Sequence, residues 1–294
     1  MQGKIVKGIA GFYYVYAEDG VLYECKARGA LRNKKITPLV GDNVEIIITE
    51  QNRNAGSIES ILPRSNSLIR PAVANVDQAL IFFARNNPEP NMGLMDRLLI
   101  TMERQGIDAF IAFNKSDLEY SDSLDLINEK KAFEMAGYTV LEVCVATGAG
   151  LEQLKAKLTG KTTTLAGPSG AGKSSLINEL CPDATMETGD ISEKLGRGRH
   201  TTRHAEILVI DSDSFIVDTP GFTSYDINTI LPEELAEYYP EILEESGNCK
   251  FSMCSHTHEP GCSVKAAVEG GKISKLRYDR YVKSYEELKG IRRY

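Results

Sequence analysis

The sequence predicts a multidomain protein. It should hold an N-terminal five-stranded β-barrel, a central α/β domain with a parallel sheet covered on both faces, and a mainly helical C-terminal domain carrying a Cys/His cluster. Three observations carry this. Five short runs rich in Val, Ile and Tyr fill the first 62 residues. Strand-like and helix-like segments then alternate up to residue 225. Three of the six cysteines, Cys249, Cys254 and Cys262, crowd one short segment with histidines.

The barrel strands are expected at Gly3–Gly8, Phe12–Ala17, Val21–Arg28, Asn43–Glu50 and Ser57–Leu62, parted by turns such as Glu18-Asp19-Gly20 and Gly41-Asp42. Five strands in about sixty residues suit a small closed barrel, and the pattern alone leaves open an oligonucleotide-binding or an SH3-like type. Pro63–Pro71, with proline at both ends, reads as a linker. Val76–Phe83, Ile107–Phe113, Tyr138–Val143 and Thr162–Ala166 read as strands, and Met92–Gln105, Ser121–Ala136 and Leu151–Leu158 as helices. Glu206–Ile210 and Ser214–Asp218 add two more strands. The expected domains are 1–62 (barrel), 63–71 (linker), 72–225 (α/β) and 226–294 (Cys/His domain).

Composition excludes several classes. Of 294 residues 42% are hydrophobic, enough to bury a core, so disorder over most of the length is excluded. The longest apolar runs, such as Ala79–Ala84, are far short of a bilayer span, and no membrane partner is expected. Met1–Ala10 has no long apolar region of a secretory signal, so a soluble protein in a reducing compartment is expected; a monomer is expected as well. In that reducing compartment the Cys cluster reads as a metal site and Cys25, Cys144 and Cys181 as buried apolar groups. The formal charge of −7 argues mildly against nucleic acid, but net charge hides local patches. Asp226–Asn248 holds seven acids and no Lys or Arg, whereas Lys272–Arg293 has eight basic residues against three acidic.

The strongest motif is G-x-x-x-x-G-K-S, following a strand and opening the helix Lys173–Leu180. The run Gly167, Pro168, Ser169, Gly170, Ala171, Gly172, Lys173, Ser174 and Ser175 is the expected phosphate-binding loop. Its glycines let backbone N–H groups converge on phosphate oxygens, Lys173 reaches the β/γ-phosphates and Ser174 ligates Mg²⁺. Asn114, Lys115, Ser116 and Asp117 form N-K-x-D directly after a strand. A carboxylate at Asp117 accepts from guanine N1–H and N2–H, a donor pair adenine lacks, so the base is guanine and the ligands are GTP and GDP. Asn114 would tie this loop to the phosphate loop, and the Lys115 stem would cover the base.

Asp218-Thr219-Pro220-Gly221 is D-x-x-G after a strand. Asp218 is expected to hold a Mg²⁺ water and the Gly221 amide to sense the γ-phosphate. Between it and the phosphate loop lies Gly196–His204, where nucleotide switches place a Mg²⁺-reaching Thr; Thr201 and Thr202 are both on offer. Ras has a water-orienting Gln just after D-x-x-G. Phe222 stands there in this chain and cannot hydrogen-bond, so His200 is the candidate catalytic residue.

The motif order is unusual: N-K-x-D precedes the phosphate loop, and no second copy follows Gly221. Either Asn114–Asp117 is accidental or the domain is circularly permuted, and one further motif favours permutation. Cys144-Val145-Ala-Thr-Gly148-Ala-Gly150-Leu151 takes the place of the guanine loop S-A-x-x-G-x-G-L, offering the Val145 amide to guanine O6. In the last domain Cys249-x4-Cys254-x-His256-x5-Cys262 provides three thiolates and an imidazole, a closed tetrahedral structural zinc site. His258 is an alternative nitrogen ligand.

Barrel, permuted nucleotide domain and Cys/His cluster in this order resemble the RsgA-type (YjeQ/YloQ) circularly permuted GTPases of small ribosomal subunit maturation. Leu68-Ile-Arg70-Pro71, Ala74-Asn-Val-Asp77, Gly196–Arg203, Asp218–Phe222 and Arg277-Tyr278…Tyr281 carry the resemblance, over nearly the whole chain. It implies an OB-fold barrel, GTP hydrolysis stimulated by the 30S subunit, contact with 16S rRNA, a cytoplasmic location, and one zinc on Cys249, Cys254, His256 and Cys262. The switch loop and the C-terminal helix supply the basic surface. Tyr278, Tyr281 and Tyr285 recur at helical spacing and are expected to form a packed face rather than a base-stacking platform.

Overall fold

The structure, a computed structural model, describes residues 1–28, 37–49, 54–68, 72–120, 125–182, 205–218 and 227–291. The barrel strands are β1 (Gln2–Ile9), β2 (Phe12–Ala17), β3 (Leu22–Ala27), β4 (Asn43–Ile48) and β5 (Ala55–Ile61), closed in the order β1-β2-β3-β5-β4. Only β3 and β5 pair in parallel; the other pairs are antiparallel. This is the OB-fold closure, which resolves the alternative the strand pattern leaves open. Alternate residues point inward, so Ile5, Val15, Tyr23, Cys25, Val44, Ile46 and Ile58 fill the interior. Residues after the barrel are stitched to it. Arg64 forks over buried Asp42 at 2.6 and 2.8 Å, while Asn66 exchanges hydrogen bonds with the Val76 backbone at 2.7 and 3.0 Å.

The central strands are β6 (Gln78–Ala84), β7 (Asp108–Asn114), β8 (Val140–Glu142), β9 (Thr162–Ala166), β10 (Glu206–Val209) and β11 (Phe215–Asp218). The helices are α1 (Met92–Arg104), α2 (Leu126–Met135), α3 (Leu151–Leu158) and α4 (Lys173–Leu180). The sheet order is β10-β11-β9-β6-β7-β8. Every residue of β6 and β9 is buried, as a strand covered on both faces requires. The sheet is not wholly parallel: β10 runs against β11. Its connection is a tight turn in which Asp211 accepts from the Asp213 and Ser214 amides at 3.1 and 2.9 Å, and so short a link can only reverse the chain.

The described residues gather into two compact units that do not follow the sequence domains. One comprises residues 1–79, 152–165 and 172–223. In it the barrel grips the β10–β11 hairpin: Lys7 pairs with Glu206 at 2.7 Å, and Tyr16 meets Phe215 edge-on at 6.2 Å. The other comprises residues 80–151, 166–171 and 224–294. It holds β7, β8, α1, α2, a 3-10 helix (Pro232–Tyr238), α5 (Pro240–Ser246), α6 (Ser263–Glu269) and α7 (Lys275–Gly290).

A buried ion network ties α7 to α1 and α2 within this second unit. Arg277, 1% exposed, reaches Asp96 of α1 and holds Glu241 at 2.7 Å. Arg280 takes the other Asp96 oxygen at 2.5 Å and Glu129 of α2 at 2.7 Å. The rings of Tyr239 and Phe133 flank the Arg277 guanidinium at 4.7 and 5.2 Å. Burial opposes its charge, but Asp96 and Glu241 hold it protonated well above the ordinary arginine range. This corrects the reading of α7 as basic surface. Arg277 and Arg280 are internal, while Lys272 and Lys275 pair with Glu245 and Asp279. The tyrosines form a packed face, with Tyr281 buried and stacked on Tyr278 at 6.4 Å.

Candidate nucleotide site and metal centre

The phosphate loop follows β9 and runs into α4. Gly167 has φ 157°, and a Cβ there would lie 1.9 Å from the Phe82 carbonyl oxygen, so only glycine lets the loop leave the strand beside β6. Gly172 stands at the start of α4 with no side-chain cap, and half-buried Lys173 and Ser174 form its first turn. Uncapped N–H groups at a helix start are suited to an anion.

Asn114, the last residue of β7, joins three loops. Its Nδ2 donates to the Ala171 carbonyl at 2.9 Å, and its Oδ1 accepts from the Val145 amide at 3.1 Å. The N-K-x-D segment therefore meets the phosphate loop although it precedes it by more than fifty residues. The Val145 amide, expected to face guanine O6, is already committed to Asn114, so any base contact must share that donor. Lys115 lies in the left-handed region at φ 61°, and its ammonium reaches the Asn87 carbonyl. Asp117 is exposed and its Oδ1 accepts from the Cys144 thiol at 3.0 Å. That hydrogen bond holds the carboxyl below the usual Asp range, which keeps it ionised.

Cys144 is buried, as expected, and sits at the head of the guanine loop where the sequence places it; what sequence reasoning missed is that its thiol donates to Asp117. The available signal was its place where the guanine loop carries Ser, a one-proton donor. Gly150 closes the same loop: at φ 74° its Cβ would stand 2.3 Å from the Glu142 carbonyl oxygen.

Asp218 ends β11, paired in register with Glu206. His200, Thr201, Thr202 and Gly221 lie outside the described residues.

Cys249, Cys254, His256 and Cys262 bring four ligand atoms within 4.8 Å of one another. Cys249 Sγ and Cys262 Sγ each lie 3.5 Å from His256 Nδ1 and 3.8 Å from each other. Tetrahedral Zn–S bonds of about 2.3 Å separate two sulfurs by about 3.8 Å, so the set fits a metal of that geometry. His256 has φ 60°, a left-handed conformation uncommon for a residue other than glycine, and its Nδ1 faces both thiols. Tyr278 donates to the His256 carbonyl at 2.7 Å and Tyr281 to that of Ser255 at 2.9 Å, fixing the loop on α7. Ser263 Oγ lies 3.1 Å from Cys249 Sγ. His258 is exposed, and its nearest charged partner is Glu286 at 3.7 Å. No helix among the described residues is long and apolar enough to cross a membrane.

The RsgA GTPase family profile matches residues 61–228, and the RsgA N-terminal domain profile matches residues 2–58. The chain is 50% identical to "Small ribosomal subunit biogenesis GTPase RsgA" of Agathobacter rectalis, with 100% of both chains covered. It is 46% identical to the protein of the same name from Alkaliphilus metalliredigens, covering 100% of this chain and 99% of the relative. Among solved structures it is similar to YloQ, described as a circularly permuted GTPase (37% identity, TM-score 0.81, 100% and 96% coverage). It is also similar to YjeQ from Thermotoga maritima (37% identity, TM-score 0.83, 99% of each chain). With its permuted motif order, its OB barrel and its Cys3His cluster, the chain belongs to the RsgA GTPase family and is a GTP-hydrolysing P-loop enzyme.

Proposed function

We propose that this GTPase binds the small ribosomal subunit and acts in its late maturation, in the cytoplasm and as a monomer, hydrolysing GTP to GDP and phosphate faster when the subunit is bound. The observation that carries the nucleotide part is Asn114, whose side chain links base loop, phosphate loop and guanine loop. The ribosomal part rests on relatives of the same length named for small-subunit biogenesis. In this reading Asp117 selects guanine, Lys115 covers the base, and Val145 shares its amide between Asn114 and guanine O6. The amides from Gly167 to Ser175 cradle the phosphates. Ser174, Asp218 and one of Thr201 and Thr202 hold Mg²⁺, which neutralises charge on the transferred phosphate. The Gly221 amide senses that phosphate. 16S rRNA is contacted by the OB barrel and the switch loop. Cosedimentation with small subunits in GDP, GTP and a non-hydrolysable analogue tests this: binding should be strongest with the analogue, and no pelleting in any state would overturn it.

The Cys249–Cys262 site is proposed to hold one structural zinc. Cys254→Ala should lose the metal and loosen residues 249–262, while intrinsic GTP hydrolysis survives. Metal content and hydrolysis of the purified variant check this, and loss of hydrolysis with the fold intact would contradict it.

His200 is proposed to position the attacking water. His200→Ala should lose most subunit-stimulated hydrolysis, about 10²-fold or more for a group that orients or deprotonates water. GTP affinity and subunit binding should be unchanged. A parallel fall in subunit binding would make His200 an RNA contact instead.

A further inference from the structure

We infer that the four residues after β6, Arg85 to Pro88, clamp the base loop that begins at Asn114 against the phosphate loop, with Arg85 a positioning residue for base selection. The inference rests on the site taking a guanine nucleotide. Five contacts converge here. The Arg85 amide donates to the Asn114 carbonyl at 2.7 Å. Its Nη1 donates to the Ser116 carbonyl at 2.6 Å. Asn86 Nδ2 donates to the Glu119 carbonyl at 3.2 Å. The Lys115 ammonium donates back to the Asn87 carbonyl. Pro88 lies against the phosphate loop, where a Cβ on Gly170 would be 3.2 Å from its Cδ.

These contacts do what the base loop cannot do for itself. Lys115 is held at φ 61°, a conformation a non-glycine side chain keeps only when its surroundings over-determine it. The carbonyls on either side of Lys115, those of Asn114 and Ser116, are the two that Arg85 takes. Asp117 follows at once, so its carboxylate can lie in the plane of the base only if the Ser116 peptide is fixed.

Arg85 is itself fixed by stacking. Its guanidinium lies 3.4 Å from the centre of the Tyr120 ring. The Tyr120 hydroxyl donates to Glu142 at 3.0 Å, and Lys130 holds the same carboxylate oxygen at 2.7 Å. Arg85 Nε is buried and makes no hydrogen bond among the described residues. The side chain is thus committed through its plane and one Nη, which a lysine does not reproduce.

The test measures GDP and inosine diphosphate affinities by titration calorimetry. Inosine lacks the N2 amine, so the ratio reads the Asp117 contact alone. Wild type should prefer GDP over inosine diphosphate and ignore ADP; failure of that control overturns the guanine reading itself. Given it, Arg85→Ala should weaken GDP about tenfold and shrink the GDP-to-inosine diphosphate ratio severalfold, with kcat at saturating GTP within about twofold. Arg85→Lys should resemble Arg85→Ala. Tyr120→Leu, which keeps the Ser116 hydrogen bond but removes the stack, should shift the ratio in the same direction by less. A wild-type ratio in Arg85→Ala overturns the proposal, as does full rescue by Arg85→Lys, and so does a loss confined to thermal stability.

Discussion

Arg277→Ala is expected to be among the most destabilising single substitutions in the chain. The change leaves Asp96 and Glu241 buried without their shared cation, and Arg280 satisfies only one oxygen of Asp96. Breaking a buried pair by removing one partner costs about 3–5 kcal/mol, a large part of an ordinary domain's stability. The loss should appear as a lower urea midpoint and as release of α7 from α1. The combined variant Arg277→Met, Asp96→Leu and Glu241→Met should recover much of it, because a well-packed apolar set carries no desolvation penalty. An unfolding free energy within about 0.5 kcal/mol of wild type for Arg277→Ala would mean that the network is solvated in solution.

The largest effect on ligand choice is expected from Asp117→Asn. Its carboxylate stands exposed beside Cys144, poised to accept from two guanine donors. Asn keeps one amide oxygen for guanine N1–H but sets a donor against the N2 amine; losing one hydrogen bond to a charged group costs about 1.5–3 kcal/mol, so GTP weakens by about 10- to 10²-fold. Xanthine carries a carbonyl where guanine has its N2 amine, and the Asn amide can donate to it. Preference should therefore pass from GTP to xanthosine triphosphate in a competition assay. Unchanged GTP affinity would remove Asp117 from the base site.

Much of this was legible in residue order. The barrel strands show because alternating Val, Ile and Tyr are parted by turn residues, while the order of their closure, which separates two barrel types, shows only in the structure. β6 shows because seven consecutive buried residues read as an apolar run whatever they pack against. The nucleotide loops show because their glycines and Asn114 answer to backbone geometry, which leaves a fixed spacing in the sequence. Other features had no such trace. The thiol that donates to Asp117 stands in the guanine-loop motif, but nothing in residue order names Asp117 as its acceptor. Arg277 and Arg280 look like the charged face of a basic helix, since their partners Asp96, Glu129 and Glu241 are far away in the chain. Arg85 carries no motif; only the packing of β6 beside the base loop reveals its role. The antiparallel β10 was legible too, in the three residues between the two expected strands, but the alternation of strands and helices reads as a parallel sheet throughout.

In the proposed function the small ribosomal subunit governs GTP turnover on this permuted site. Single-turnover hydrolysis of GTP and ATP, with and without isolated small subunits, decides this. GTP alone should be hydrolysed slowly, at least tenfold faster once subunits are added, and ATP should not be turned over in either case. Equal GTP rates with and without subunits, or comparable rates for ATP, would contradict it.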